Sequence, residues 1–355
     1  MGIIAKGSVV KALVVLAALF IVLAGVKTAT NILVPFLLSV FIAIICNPIV
    51  AKAEQYKIPK GIAVILVIVI FMSIALSIAG LVGKSLTELS QLLPEYREQL
   101  KEQFSWLTGK LATYNIQVST ALLIEYFDPG AAMGLAADML SGLGSVMANL
   151  FLIIITVIFM LFEASSLPKK VHLALDDPHM RMRQVDRFLS SVNHYLAIKT
   201  LVSIGTGILV STMLWMFGLD FFLLWGVLAF LLNYIPNIGS IIAAVPAMSL
   251  AILQLGPGAA GAIGLGYLVI NTLMGNVVEP RYLGRGLGLS TLIVFLSLIF
   301  WGWLLGTVGM LLSVPLTMII KIGLESSEEG KWLAVLLSGD GIATEDDMAQ
   351  EQESA

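Results

Sequence analysis

Asn233, Asn237, Asn271 and Asn276 are four amides set in stretches otherwise poor in polar groups. Glu279 is a carboxylate with two guanidiniums, Arg281 and Arg285, close behind it. These are the residues whose types and spacing offer chemistry. An amide in an apolar medium needs partners for both its donor and its acceptor. Four of them therefore suggest a site for an uncharged, hydroxylated molecule. Pro236 and Gly239 join that candidate site because they share the motif NYIPNIG, residues 233–239, with Asn233 and Asn237. A carboxylate beside guanidiniums suggests an ion pair that serves as a gate or a protonation site, with Glu279, Arg281 and Arg285 as its members. Anchoring also explains the two arginines, because charges at a helix end snorkel to water.

Other chemistries find no footing. GKS at 83–85 resembles part of a Walker loop, but Ile78 stands where the leading glycine belongs. GRGLG at 284–288 follows no strand, so it is no nucleotide loop. His172, His179 and His194 fall in one charged stretch, without an H-E-x-x-H pattern. No catalytic residue, metal site or cofactor is expected, and the chain is read as a non-enzyme. A net charge of −3 gives no reason to expect nucleic acid as a partner. Cys46 is the single cysteine, so no intrachain disulfide forms, and its apolar surroundings suit a small buried hydrophobe.

The elements that must carry these residues are membrane helices. Of 355 residues, 58% are hydrophobic and 12% charged, against about 25% charged in a soluble domain. The mean hydropathy is +0.97. Charges are absent between Lys27 and Lys52, Lys60 and Lys84, Asp138 and Glu163, and Arg285 and Lys321. Between Lys199 and Glu279 only Asp220 intervenes. About 20 apolar residues cross a bilayer core roughly 30 Å thick, and each gap is long enough. The pattern predicts an all-α, polytopic fold with helices at 10–26, 31–50, 61–83, 143–163 and 199–217. Two long apolar regions, 221–279 and 287–320, follow. The N-terminal run lacks an A-x-A cleavage site and reads as an uncleaved first helix.

The chain divides into N-terminal helices (1–83), an external amphipathic segment (84–142), a core transport domain (143–323) with a cytoplasmic loop at 164–198, and an acidic cytoplasmic tail (324–355). Basic residues cluster at 51–60 and 163–199, so both stretches read as cytoplasmic. The 84–138 segment carries four basic and seven acidic residues and reads as external. Its Leu89, Leu92, Leu93, Tyr96, Leu100, Phe104, Leu107 and Leu111 recur at helical spacing. That stripe predicts packing on a neighbour, or a cap that gathers substrate. Both termini come out cytoplasmic.

Parity then breaks the two long regions. Residues 221–254 must enter and leave by one side, with Pro236 and Gly239 where a helix would end. Residues 287–320 would make one helix roughly 50 Å long, too long for a single crossing. Its middle, WGWLLGTVG, offers Trp301, Gly302, Gly306 and Gly309 as the break. The expectation is about eight transmembrane segments, including two oppositely oriented, re-entrant hairpins. Such hairpins expose backbone groups that bind substrate in secondary transporters with inverted repeats.

NYIPNIG (233–239), the run GNVVEPRYLGRGLGLSTLIVFLSLIFWGWLLGTVGMLLSVPL (275–316) and NILVPFLLSVFIAIICNPIV (31–50) resemble the autoinducer-2 exporter family, over about residues 8–338. The resemblance implies an inner-membrane, homo-oligomeric transporter of about eight helices that exports the quorum-sensing signal autoinducer-2. Some relatives are sodium(lithium)/proton antiporters, so protons or sodium are also implied as partners, beside membrane lipid. Three readings follow: a secondary exporter of the signal, a sodium(lithium)/proton antiporter, and a non-transporting oligomeric scaffold. Asp220 and Glu279 are the carboxylates within reach of the apolar stretches, and both fall near interfaces. That weighs against the antiporter.

Overall fold

A Pro, a Gly or a charged cluster ends almost every apolar run in this chain, and the helices follow those stops. The structure is a computed structural model that describes residues 2–112, 134, 148–164, 170, 178–236, 238–283, 289–325, 327 and 330–339. All regular structure among them is helical. In chain order the helices are α1 (Gly2–Thr28), α2 (Thr30–Gln55), α3 (Lys60–Ala112), α4 (Leu150–Glu163) and α5 (Pro178–Met216). Then come α6 (Phe222–Leu232), α7 (Gly239–Leu255), α8 (Pro257–Asn271), a π-helix (Thr272–Val278) and α9 (Glu279–Leu283). The chain continues through α10 (Thr291–Leu311), α11 (Ser313–Glu325) and α12 (Lys331–Leu337).

Among the described residues, five helical stretches are long and apolar enough to cross a membrane: Thr30–Gln55, Lys60–Leu92, Leu189–Met216, Pro257–Tyr282 and Thr291–Leu311. Leu13–Thr28, Leu150–Glu163, Phe222–Leu232 and Gly239–Leu255 are apolar but shorter. Serine and threonine hydroxyls within these helices mostly donate to the carbonyl one turn back, as Thr206 does to Val202 and Ser249 to Val245. That satisfies them where no water reaches.

Two helices run further than expected. Instead of ending near residue 83, α3 runs on to Ala112, 53 residues in all. Val82, Leu86, Leu89, Leu92 and Tyr96 pack on one core cluster. The amphipathic stripe is thus in phase with the membrane helix below it, and one helix serves both. Much of the segment read from its charges as external, 113–133 and 135–142, lies outside the described residues. Helix α5 begins at Pro178, not near residue 199, so the span starts well before Lys199. Its inward stripe is Val192, Tyr195, Leu196, Lys199, Val202, Ser203, Thr206, Val210 and Leu214, all buried. The spacing is that of one helix face.

Three apolar clusters hold the molecule. One joins α2, α3 and α4 through Cys46, Val50, Val64, Ile153, Val157 and Leu161. A second joins α10 and α11 to Val192, Tyr195 and Leu196 of α5 and to Phe41 of α2. The third and largest gathers α5, α6, α7 and α8, with Trp225 fully buried, and takes in the upper part of α3.

Helices α6 and α7 form a hairpin. With 11 and 17 residues they are about 16 and 25 Å long, each short of the hydrocarbon thickness. Its open end is clasped. Gln254 accepts from the Asp220 amide at 2.9 Å and donates to the Gly218 carbonyl at 3.2 Å. Tyr96 donates to the Asp220 carboxylate at 2.9 Å. Burial, then that hydrogen bond, raises the Tyr96 phenol well above the ordinary tyrosine range. The folded chain therefore holds this proton more tightly than the unfolded chain. The resulting stability is complete below about pH 10 and fades as pH climbs toward the raised value. Tyr96→Phe should lower stability by about 1 kcal/mol at neutral pH. The gap between the two melting curves should close above about pH 10; a gap that persists there would deny the clasp its role.

The second break falls in α10 at Gly306, with φ 69° and ψ −152°. Side chains rarely adopt such a conformation, which glycine reaches freely. The chain then folds back, and the Trp301 indole donates to Thr317 Oγ1 at 3.0 Å. Near this break, Lys27 lies 4.2 Å from the centre of the Trp303 ring. Thr30 donates to the Leu304 carbonyl at 3.3 Å.

Candidate functional site

The tip of the α6–α7 hairpin docks on the middle of α5. Asn233 Nδ2 donates to Ser203 Oγ at 2.9 Å, and both residues are buried. Tyr234 donates to Thr200 Oγ1 at 2.7 Å. Ser203 lies halfway along the apolar stretch Leu189–Met216. Pro236 is half-buried just beyond, and Gly239 is buried where α7 begins. Asn237 lies outside the described residues.

One turn from Ser203 on the same face, Lys199 Nζ donates to both carboxylate oxygens of Glu279 at 2.8 Å. The side chains are 5% and 16% exposed. Each group thus answers the other's hydrogen-bonding need where little water reaches. The arrangement corrects the expected Glu279–Arg281 pairing. Residues two apart on a helix do not face each other, and Arg281 is exposed. Arg285 lies outside the described residues.

The π-helix helps turn Glu279 toward α5. It covers seven residues between α8 and α9. Its wider turns advance less around the axis per residue, so residues beyond it face differently than an unbroken α-helix would place them. Asn271, just before it, is half-buried, whereas Asn276, within it, is exposed.

The glycines of the hairpins take two roles. Gly306 makes the second break. Gly239 and Gly309 are contact points instead. A Cβ on Gly239 would fall 1.8 Å from the Leu232 carbonyl oxygen. One on Gly309 would fall 2.1 Å from the Trp301 carbonyl oxygen. In each hairpin the second arm rests a glycine directly on the backbone of the first. Gly302 faces the flexible Met310 side chain.

A groove of about 580 Å³ lies elsewhere, between α3, α5 and α6. Ile74, Ile78, Ile204, Trp215, Phe222 and Phe230 line much of it. Such a lining suits acyl chains and not a polar solute.

The AI-2E family transporter profile matches residues 13–329. The AI-2 transport protein TqsA of Escherichia coli K12 is 46% identical over 329 residues, covering 92% of this chain and 95% of the relative. A Haemophilus influenzae protein is 44% identical, covering 91% of this chain and 94% of its own length. E. coli YhhT is 40% identical, covering 91% and 92%. The last two are named only provisionally as transport proteins.

The chain belongs to the AI-2E transporter family. It is a multi-pass membrane transporter, in a family of transporters and not of enzymes. Within this family member, sequence reasoning found Asn233, Pro236, Gly239, Asn271 and Glu279 in the protein interior or at its edge, and it missed Lys199, Thr200, Ser203 and Tyr234. Lys199 was counted as the last charge of a loop. Its signal was periodic: it completes the stripe from Val192 to Leu214, and a charge on the buried face of an apolar helix needs a partner there.

Proposed function

We propose that this AI-2E family protein is a secondary transporter that exports autoinducer-2 across the inner membrane by alternating access. The observation that supports it best is the α6–α7 hairpin tip bonded to the midpoint of α5, one turn from a buried ion pair. Irregular backbone at that depth persists where protein buries it or where it lines a water-filled path, and broken helices in secondary transporters do the latter. The relative named an AI-2 transport protein supplies the substrate. In this reading the two hairpins are re-entrant gates of opposite orientation. Asn233, Asn237, Asn271 and the backbone near Pro236 and Gly239 bind the solute, while Asn276 serves at the rim. The Lys199–Glu279 pair couples solute movement to protons, with both termini cytoplasmic and several copies assembled in the membrane.

Glu279 is engaged on both oxygens by Lys199, which favours a neutral solute over a bare cation. The test uses purified protein in sealed vesicles under an imposed proton gradient, following autoinducer-2 and internal pH together, with and without sodium. Protein-dependent signal flux that responds to the gradient is the expected result. A sodium-dependent pH change without signal flux would make the protein an antiporter, and no flux of either kind would leave the scaffold reading.

A further inference from the structure

Tyr267 lies on α8, one turn before Asn271, and is 5% exposed. Among the described residues, its hydroxyl is the buried side-chain polar atom without a hydrogen-bond partner. The neighbouring hydroxyls set a standard for comparison. Ser203, Thr206, Thr200 and Thr317 all have partners. A phenol left unpaired in an apolar core is destabilising, and phenylalanine would pack there without that penalty.

The location is central. Tyr267 is ten residues into the stretch Pro257–Tyr282, and so near mid-membrane depth. It belongs to the cluster that combines the first hairpin's Trp225, Leu228, Leu250 and Leu253 with Leu298, and on which Met310 and Leu311 of the second hairpin pack. Both broken hairpins thus contribute to the cluster in which it sits. The space beside it in the chain is held by adaptable groups. Met213 sits against the backbone at Gly266, and Met248 against Gly264. A Cβ on either glycine would fall within 2.8 Å of a methionine atom. Thioether side chains rotate and repack at low cost, so room here opens without moving backbone.

We infer that the Tyr267 hydroxyl is a binding group held in reserve for the transported molecule, donating to a hydroxyl or carbonyl oxygen of a neutral, oxygen-rich solute as it passes between the hairpins. Tyr267 then forms the outer half of a polar track whose inner half is Asn271. Methionines 213 and 248 are the movable walls. The inference rests on the export reading and adds a specific contact to it. A phenol offers one donor and no charge, which suits a small polyol-like solute better than an inorganic cation.

The decisive variant is Tyr267→Phe, which keeps the ring and removes the oxygen. Its melting midpoint in detergent should equal or exceed the native value, because a core orphan has been deleted. In sealed vesicles its KM for autoinducer-2 should rise roughly three- to tenfold, the worth of one neutral hydrogen bond, with the maximal rate little changed. A lower melting midpoint would make the hydroxyl a structural group and overturn the inference. An unchanged KM in vesicles where the native protein carries signal would overturn it alone. Absence of signal flux from the native protein would overturn the export reading and this contact together.

Discussion

Lys199→Met should unfold more readily than the native protein by about 3 kcal/mol or somewhat more, because it strands the Glu279 carboxylate in the protein interior. Glu279→Gln strands the ammonium of Lys199 and should lose a similar amount. The Glu279 side chain keeps 16% exposure, which holds the penalty toward the lower end of the usual 3–5 kcal/mol for breaking a buried pair. The double variant removes both charges. It should recover most of the stability, since desolvation offsets much of what such a pair contributes. Function should separate from stability at that point. The double variant, folded but uncharged, should carry no proton-coupled flux in sealed vesicles. Melting curves and internal pH, measured on all four proteins, decide the matter. Singles that melt like the native protein and answer the gradient normally would reduce the pair to an accidental contact.

The second large effect belongs to the hairpin glycines. Gly239→Ala sets a methyl 1.8 Å from the Leu232 carbonyl oxygen and 2.7 Å from its carbon. Gly309→Ala sets one 2.1 Å from the Trp301 oxygen and 2.8 Å from its carbon. Ordinary overpacking costs about 1–3 kcal/mol because side chains shift to make room. Here the obstacle is backbone, so each hairpin must open, and a loss of about 3 kcal/mol or more is expected. Gly264→Ala is the control. It meets the flexible end of Met248, at 2.7 Å, and should lose less than either. If all three melt alike, the backbone contacts do not hold the arms together.

Much of this protein was legible as sequence because charge spacing answers to the bilayer directly. The apolar gaps found the membrane helices, and the motifs at 233–239 and 275–316 pointed to the family. What the bilayer does not impose stayed hidden. Lys199 was misread because counting charges assigns a residue to a loop by its neighbours, whereas its partner Glu279 is 80 positions away. Glu279 and Arg281 looked paired because they lie two positions apart in the chain, yet a helix turns them apart. Asn271 and Asn276 looked like one site, but Asn271 is half-buried and Asn276 exposed, a difference that composition and motif do not carry. Gly302, Gly306 and Gly309 were equivalent letters. A positive φ singles out Gly306, and close backbone contact singles out Gly309. Tyr267 drew no notice, since an aromatic in an apolar run gives no hint of an unpaired hydroxyl.

The ion pair also bears on what voltage can do. A single charge moved through the full membrane field changes energy by about 2.3 kcal/mol per 100 mV. Lys199 and Glu279 face each other at 2.8 Å and carry no net charge between them. Moved together, they are a small dipole, and the field finds little to pull.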